Sequence, residues 1–175
     1  QDDNVPSVMI EAAENLTCAT TSLILDATNS DNGTDFSYEW VASNDGNILS
    51  GASTLMPEVD ATGTYTLTIT NNLNNCTSTD FIEISETITP PVAVAAAPDQ
   101  LDCSATQVSL TGEGSDTGTN ISYLWSTPNG VIISDETTLS PTVGAVGEYI
   151  LTGTNNDTGC SETATAMVDE NENLP

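Results

Sequence analysis

Short stretches in which apolar and polar residues alternate run along the chain, separated by clusters of Gly, Asn, Asp, Pro and Ser. In the clearest stretch, Tyr65, Leu67 and Ile69 alternate with threonines at positions 64, 66, 68 and 70. A period of two residues is typical of a β-strand with one buried and one solvated face. No window shows helical periodicity, so the pattern predicts an all-β fold. The other inward-facing sets in this half of the chain are Val8 and Ile10, Leu23 and Leu25, Phe36, Tyr38 and Trp40, and Ile82 and Ile84.

The same landmarks return after about 85 residues. The matched pairs are Cys18 with Cys103, Leu25 with Leu110, Tyr38 with Tyr123, Trp40 with Trp125, Pro57 with Pro141, Gly63 with Gly147, Tyr65 with Tyr149 and Cys76 with Cys160. Agreement among so many chemically different residues indicates an internal repeat. The sequence therefore predicts two domains, residues 1–89 and residues 90–175, and Val168 closes the last strand of the second.

Two motifs indicate the type of sandwich. Tyr38-Glu39-Trp40 and Tyr123-Leu124-Trp125 occupy the third predicted strand of each repeat, and Asp60-Ala61-Thr62-Gly63-Thr64-Tyr65-Thr66-Leu67 is similar to a tyrosine corner. With these motifs the chain resembles the immunoglobulin-like and polycystic-kidney-disease-like repeats of bacterial secreted surface proteins, especially those of Bacteroidota. The resemblance implies two tandem immunoglobulin-like antiparallel β-sandwiches. Gly144 stands in the second repeat where the first has Asp60, so we expect the second corner to be looser.

Four cysteines occupy matched positions in the two repeats. Four cysteines allow three pairings, and the equal placement favours one disulfide in each repeat, Cys18 with Cys76 and Cys103 with Cys160. A zinc site is the rival interpretation, but the chain lacks His and closely spaced cysteine pairs. Disulfides predict an oxidising compartment, so we expect an extracellular or cell-surface location.

The chain contains 26 Asp and Glu but no Lys, Arg or His, for a formal net charge of -26. Nothing is available to neutralise phosphate, which argues against nucleic acid or an anionic membrane as a partner. The same gap removes the commonest general base and amine nucleophile. A glycosidase with two carboxylates stays formally open, but no pair of acids stands out, so we predict that the chain is not an enzyme.

Two loops concentrate oxygen ligands that suit calcium. The first, residues 29–35, contains Asp31 and Asp35, and the second, residues 114–120, contains Asp116. Such residues also make turns, and neither loop has the spacing of an EF-hand. Calcium and a simple turn are therefore both open, and no other cofactor is expected.

The segments at the ends of the repeats suggest self-association. Pro90 and Pro91 predict a stiff linker, and the chain begins and ends at the same point of the repeat, as a unit of a longer array does. A sandwich edge can accept a strand from a neighbour, so the segment with Val8 and Ile10, or the tail 169–175 after Val168, is expected to exchange between subunits. We predict a homopolymer that forms an extracellular filament, stalk or surface array. The alternatives are an adhesin that binds a glycan or protein through its loops, and a spacer fragment of a larger secreted enzyme.

Overall fold

The computed structural model describes residues 4–171. The chain divides into two compact units, with the boundary between Ile88 and Thr89. We call them unit 1 and unit 2. Every regular element in the described part of the chain is a β-strand, and no helix there is able to span a membrane. Of the tail considered for strand exchange, residues 172–175 lie outside the described residues.

Unit 1 contains eight strands in three sheets. The strands are β1 (Leu16–Thr17), β2 (Leu23–Ile24), β3 (Phe36–Ser43), β4 (Ile48–Ser50), β5 (Glu58–Val59), β6 (Gly63–Asn71), β7 (Thr77–Ile84) and β8 (Glu86–Thr87). One antiparallel sheet has the order β3-β6-β7 and another the order β2-β5-β4. β1 pairs in parallel with β8.

The alternation in β6 explains the core of unit 1. Tyr65, Leu67 and Ile69 are fully buried, while the threonines between them point away from the core. Leu67 lies opposite Trp40 of β3, and the Trp40 indole N–H donates to the carbonyl oxygen of Thr54 at 3.0 Å. Burying these side chains is the main stabilising term of such a sandwich, at about 1.5–3 kcal/mol for each large apolar residue.

Unit 2 repeats this arrangement with six strands. They are β9 (Val108–Ser109), β10 (Ile121–Ser126), β11 (Ile132–Ser134), β12 (Thr142–Val143), β13 (Gly147–Asn155) and β14 (Ser161–Val168). The sheets have the orders β10-β13-β14 and β11-β12-β9. A single parallel bridge between Leu101 and Glu170 stands where unit 1 has the β1–β8 pair.

The strand expected at Val8 and Ile10 is not formed, although both side chains pack against the core of unit 1. Side chains supply part of the hydrogen bonding there. The hydroxyl of Ser30 bonds both the N–H and the carbonyl of Met9, at 2.8 and 3.0 Å, while the N–H of Glu11 donates to the backbone carbonyl of Asp26 at 2.8 Å. Val168 is buried in β14. Val8 and Ile10 therefore pack against the core of unit 1, and Val168 is part of the core of unit 2.

A tyrosine corner is present in each unit, which identifies both as immunoglobulin-like sandwiches. The Tyr65 hydroxyl donates to the carbonyl oxygen of Ala61 at 2.6 Å, and the Tyr149 hydroxyl donates to that of Ala145 at 2.7 Å. The phenol bond does not depend on the residue at Gly144, because its acceptor is a backbone carbonyl. In the first corner the Asp60 carboxylate also accepts the Asn47 amide at 2.7 Å, and Gly144 has no side chain for such a bond. The expectation of a looser second corner therefore stays a prediction.

Candidate functional site

Each unit has two ends that differ in structure. The hairpin end carries the turn between β6 and β7 in unit 1, where the Asn74 amide donates to the carbonyl oxygen of Asn4 at 3.0 Å. In unit 2 it carries the turn between β13 and β14, and Pro91 lies against Gly153 nearby. The exit end carries the β1–β8 pair in unit 1 and the Leu101–Glu170 bridge in unit 2. The chain thus enters each unit at its hairpin end and leaves at its exit end.

The two cysteines of unit 1 lie at opposite ends. Cys76 immediately precedes β7, while Cys18 follows β1 and its sulfur lies 4.0 Å from the carbonyl oxygen of Ile88. β7 separates these two places, and eight extended residues span about 23 Å. A disulfide needs Cα atoms roughly 4.4–6.8 Å apart, so Cys18 and Cys76 are unable to bond within the unit.

Unit 2 places its cysteines in the same way. Cys160 immediately precedes β14, and Cys103 lies two residues after Leu101. Leu101 bridges Glu170, which follows β14. A strand of eight residues, again about 23 Å long, separates the two sulfur atoms.

The predicted disulfide pairing is therefore wrong. Cys18 and Cys160 each take part in a disulfide bond, whereas Cys76 and Cys103 carry free thiols. Each pair expected from the sequence combines one bonded and one free cysteine. The informative signal was the position of Cys76 directly before a strand that leads to the other end of the sandwich. Disulfide bonds are typical of proteins outside the reducing cytosol.

The hairpin that holds the second cysteine of each unit has the same geometry in both. The N–H of Asn71 donates to the carbonyl oxygen of Cys76 at 2.9 Å, and the N–H of Asn155 donates to that of Cys160 at 2.8 Å. The hairpins differ at the tip, where Leu73 is 71% exposed. Unit 2 has an aspartate, at position 157, in its place.

The loop that holds Cys103 is organised by Asp102. Its carboxylate accepts the N–H of Ala105 at 2.6 Å and the N–H and hydroxyl of Ser104, both at 2.7 Å. These bonds, that from Ala105 foremost, hold the pKa of Asp102 below its ordinary value of 3.8. In unit 1 the Thr17 hydroxyl takes the equivalent place and accepts the N–H of Thr20 at 2.9 Å. Both exit loops are thus preformed, with their cysteine held at the surface.

An open depression of about 780 Å³ lies beside the Cys103 loop. Asp102 and Ala105, on either side of Cys103, form part of its wall, together with Asp99, Val108 and Asn171. The surface around it is acidic, because Asp169 and Glu170 also belong to this exit end.

The acidic loops proposed for calcium make hydrogen bonds to the backbone, and calcium binding there stays a prediction. The Asp31 carboxylate accepts the N–H of Ser7 at 2.9 Å, and its own N–H donates to the Ser7 carbonyl at 3.0 Å. Asp116 makes the same two bonds to Val92, at 2.8 and 3.0 Å. Asp35 contributes its carbonyl oxygen to Asn72. Within residues 4–171 no three acidic, His or Cys side chains cluster as metal ligands. Asp31 and Asp116 thus tie the first segment of each unit to its sandwich.

The linker prolines differ in burial, since Pro90 is exposed and Pro91 is buried.

No family model and no curated protein matches the chain. Similar solved structures are built of tandem immunoglobulin-like domains. Three N-terminal domains of the outer capsid protein Hoc of bacteriophage RB49 are 16% identical, with a TM-score of 0.47, over 94% of this chain and 59% of that one. Sidekick-1 immunoglobulin domains 1–5 are 11% identical, with a TM-score of 0.40, over 97% of this chain and 40% of that one. The four N-terminal domains of Dscam1 are 10% identical, with a TM-score of 0.35, over 96% and 52%. The chain thus spans less than two thirds of each of these structures.

Proposed function

We propose that this chain is a structural subunit that associates with further copies of itself into an extracellular filament, stalk or surface array. The observation that carries the proposal is the position of the cysteines. Because β7 separates Cys18 from Cys76 and β14 separates Cys160 from Cys103, any disulfide of one unit runs to a cysteine outside that unit. Cysteines at opposite ends of a unit are suited to joining units in series.

The composition agrees with a structural role outside the cell. Trypsin-like proteases cut after Lys or Arg, and the chain contains neither. Without Lys, Arg or His it also lacks the side chains that most often act as catalytic bases and amine nucleophiles. The composition therefore supports a structural role better than catalysis.

Electron microscopy of the protein purified under oxidising conditions tests the proposal. We expect filaments or linear arrays with an axial repeat equal to one or two sandwiches. A matched sample treated with a calcium chelator shows whether calcium bound at the acidic loops contributes to assembly. A second sample treated with dithiothreitol shows whether assembly depends on disulfide bonds. Single particles in the oxidised sample over a wide range of protein concentrations would contradict the proposal.

A further inference from the structure

The two free thiols lie at ends of different kinds. Cys76 is at the hairpin end of unit 1, and Cys103 is at the exit end of unit 2. Their counterparts in the other repeat, Cys160 at a hairpin end and Cys18 at an exit end, are disulfide-bonded. A cysteine at each kind of end thus already forms a disulfide in this fold, and the free pair consists of one of each kind.

We propose that Cys103 of one copy forms a disulfide with Cys76 of the next copy and so joins the chains head to tail. The inference rests on the proposed structural function and names the covalent contact of the assembly. Each chain has one free thiol at a hairpin end and one at an exit end, so the bond uses two different surfaces. A contact between two different surfaces joins copies head to tail, into an open chain or a closed ring.

The surfaces beside the two thiols are unlike each other. Leu73 is exposed at the tip of the hairpin that holds Cys76, whereas the bonded hairpin of unit 2 has an aspartate there. A depression of about 780 Å³ lies beside Cys103, with Val108 and Ala105 in its wall. An exposed leucine therefore lies next to one thiol, and an open depression lined mostly by polar side chains lies next to the other, so the two surfaces differ in shape and chemistry.

Charge favours the unlike pairing over contact between two exit ends. The hairpin segment 71–79 contains no acidic residue, although Asp31 and Asp35 lie in a neighbouring loop. Among the described residues, the exit end of unit 2 carries four acids, Asp99, Asp102, Asp169 and Glu170. Two exit ends brought together by a Cys103 to Cys103 bond would place these acids against each other, with no basic side chain to offset them.

Formation of the bond removes two protons and two electrons from two thiols, and a small-molecule disulfide such as oxidised glutathione is the oxidant. The Cys103 thiolate attacks one sulfur of this disulfide, and a mixed disulfide forms as the first glutathione thiolate leaves. The Cys76 thiolate of the next copy then attacks the Cys103 sulfur and displaces the second glutathione. The products are one protein disulfide and two molecules of reduced glutathione.

Two single variants test the pairing. Cys76→Ser keeps only the free thiol at Cys103, and Cys103→Ser keeps only the one at Cys76. One variant is labelled with ¹⁵N, and both are incubated in a glutathione redox buffer, separately and mixed, before non-reducing electrophoresis and mass spectrometry. We expect each variant alone to stay monomeric, the mixture to give a dimer with one labelled and one unlabelled chain, and the wild type to give a ladder. The double variant Cys76→Ser/Cys103→Ser is the control and gives monomers only.

Circular dichroism melts establish that the variants are folded, and wild-type protein provides an independent readout. Digestion of its ladder with an endoprotease specific for Glu is expected to release a peptide pair joined through Cys76 and Cys103. Homodimers in either separate sample that match the yield of the mixture would overturn the proposal, as would a wild-type ladder without the Cys76–Cys103 peptide pair. Filaments without this bond would leave the structural function standing and refute the pairing. A covalent dimer through Cys76 and Cys103 without filaments would support the pairing and contradict the structural function.

Discussion

At the scale of single residues, one phenol in each unit replaces several backbone partners. The Tyr65 hydroxyl donates to Ala61 at 2.6 Å and accepts the N–H of Asn47 at 3.0 Å, and Tyr65 itself is fully buried. Buried backbone groups that lose their partner keep the full cost of leaving water. The hydroxyl therefore matters more than its size suggests.

We expect Tyr65→Phe to lower the free energy of unfolding of unit 1 by about 1–3 kcal/mol, because it leaves the Ala61 carbonyl and the Asn47 N–H without this partner. Tyr149→Phe is the matched change in unit 2. Urea unfolding monitored by circular dichroism measures both. Tyr38→Phe is the control, since no hydrogen bond of its hydroxyl is found in the described part of the chain. An equal loss of unfolding free energy in Tyr38→Phe would show that the hydrogen bonds of the tyrosine corner make no specific contribution to stability.

Gly63 is required by a close approach of two backbone segments. Its φ is +155°, and a Cβ there would lie 2.6 Å from the nitrogen of Gly46 and 2.7 Å from the carbonyl oxygen of Ser43. Gly33 also has a positive φ, +120°, but a Cβ there would meet nothing within 4 Å. A comparison of the two glycines therefore distinguishes the free-energy cost of the backbone conformation from the cost of a steric clash.

Gly33→Ala is expected to cost about 1–2 kcal/mol of stability through its backbone conformation. Gly63→Ala is expected to cost about 1–3 kcal/mol more, since the backbone of Gly46 must shift. Thermal melts of the two variants measure the difference. Equal melting temperatures for Gly33→Ala and Gly63→Ala would contradict the predicted clash between the Cβ at position 63 and Gly46.

At the scale of elements, the strands were readable from the sequence and the placement of the cysteines was not. β6 and β13 show their alternation directly, because one face is buried and threonine or other small polar residues occupy much of the other. The first segment of unit 1 was harder to predict, since the side chains of Ser30 and Asp31 supply part of the hydrogen bonds that a backbone ladder would make. The cysteine error arose because matched positions in two repeats do not reveal which end of a strand each position occupies. The calcium interpretation depends on loop composition, which does not distinguish a metal ligand from a side chain that bonds backbone, so it stays a prediction.

The exit loop of unit 2 is expected to loosen in acid. The pKa of Asp102 is lowered by the N–H of Ala105 and by Ser104, so these bonds hold above the ordinary pKa of 3.8 and are lost as pH falls through the lower folded value. Carbon-detected NMR is expected to give a midpoint for Asp102 below 3.8. A midpoint at or above that value would contradict the hydrogen bonds. Asp102→Ala provides the control, with fast amide exchange at Ala105 at every pH.

At the scale of the whole molecule, electrostatics is one-sided. The chain has 26 acidic side chains and no basic one, so interactions between its charged side chains are repulsive at neutral pH. Such self-repulsion destabilises the compact state while keeping the protein soluble. The hydrophobic cores and backbone hydrogen bonds therefore have to offset the electrostatic repulsion within each unit.

We expect salt to raise the melting temperature, because the screening length falls from about 30 Å at 0.01 M to about 8 Å at 0.15 M ionic strength. Differential scanning calorimetry in NaCl and in CaCl₂ at equal ionic strength measures the effect. Equal shifts indicate screening alone, and a larger shift in CaCl₂ indicates bound calcium. A melting temperature that is independent of NaCl would contradict the repulsion argument.

The position of the two cysteines of unit 1 also fixes how the unit carries mechanical tension. A pull applied at Cys76 acts along β7, and an opposite pull at Cys18 acts on β1, which pairs in parallel with β8 just beyond β7. The two pulls slide neighbouring strands past each other, so the bonds between them, including that from Leu16 to Ser85 at 2.9 Å, are loaded together. Sideways peeling would break such bonds one at a time. A unit held by its cysteines therefore resists stretching through simultaneous rupture of its strand pairs.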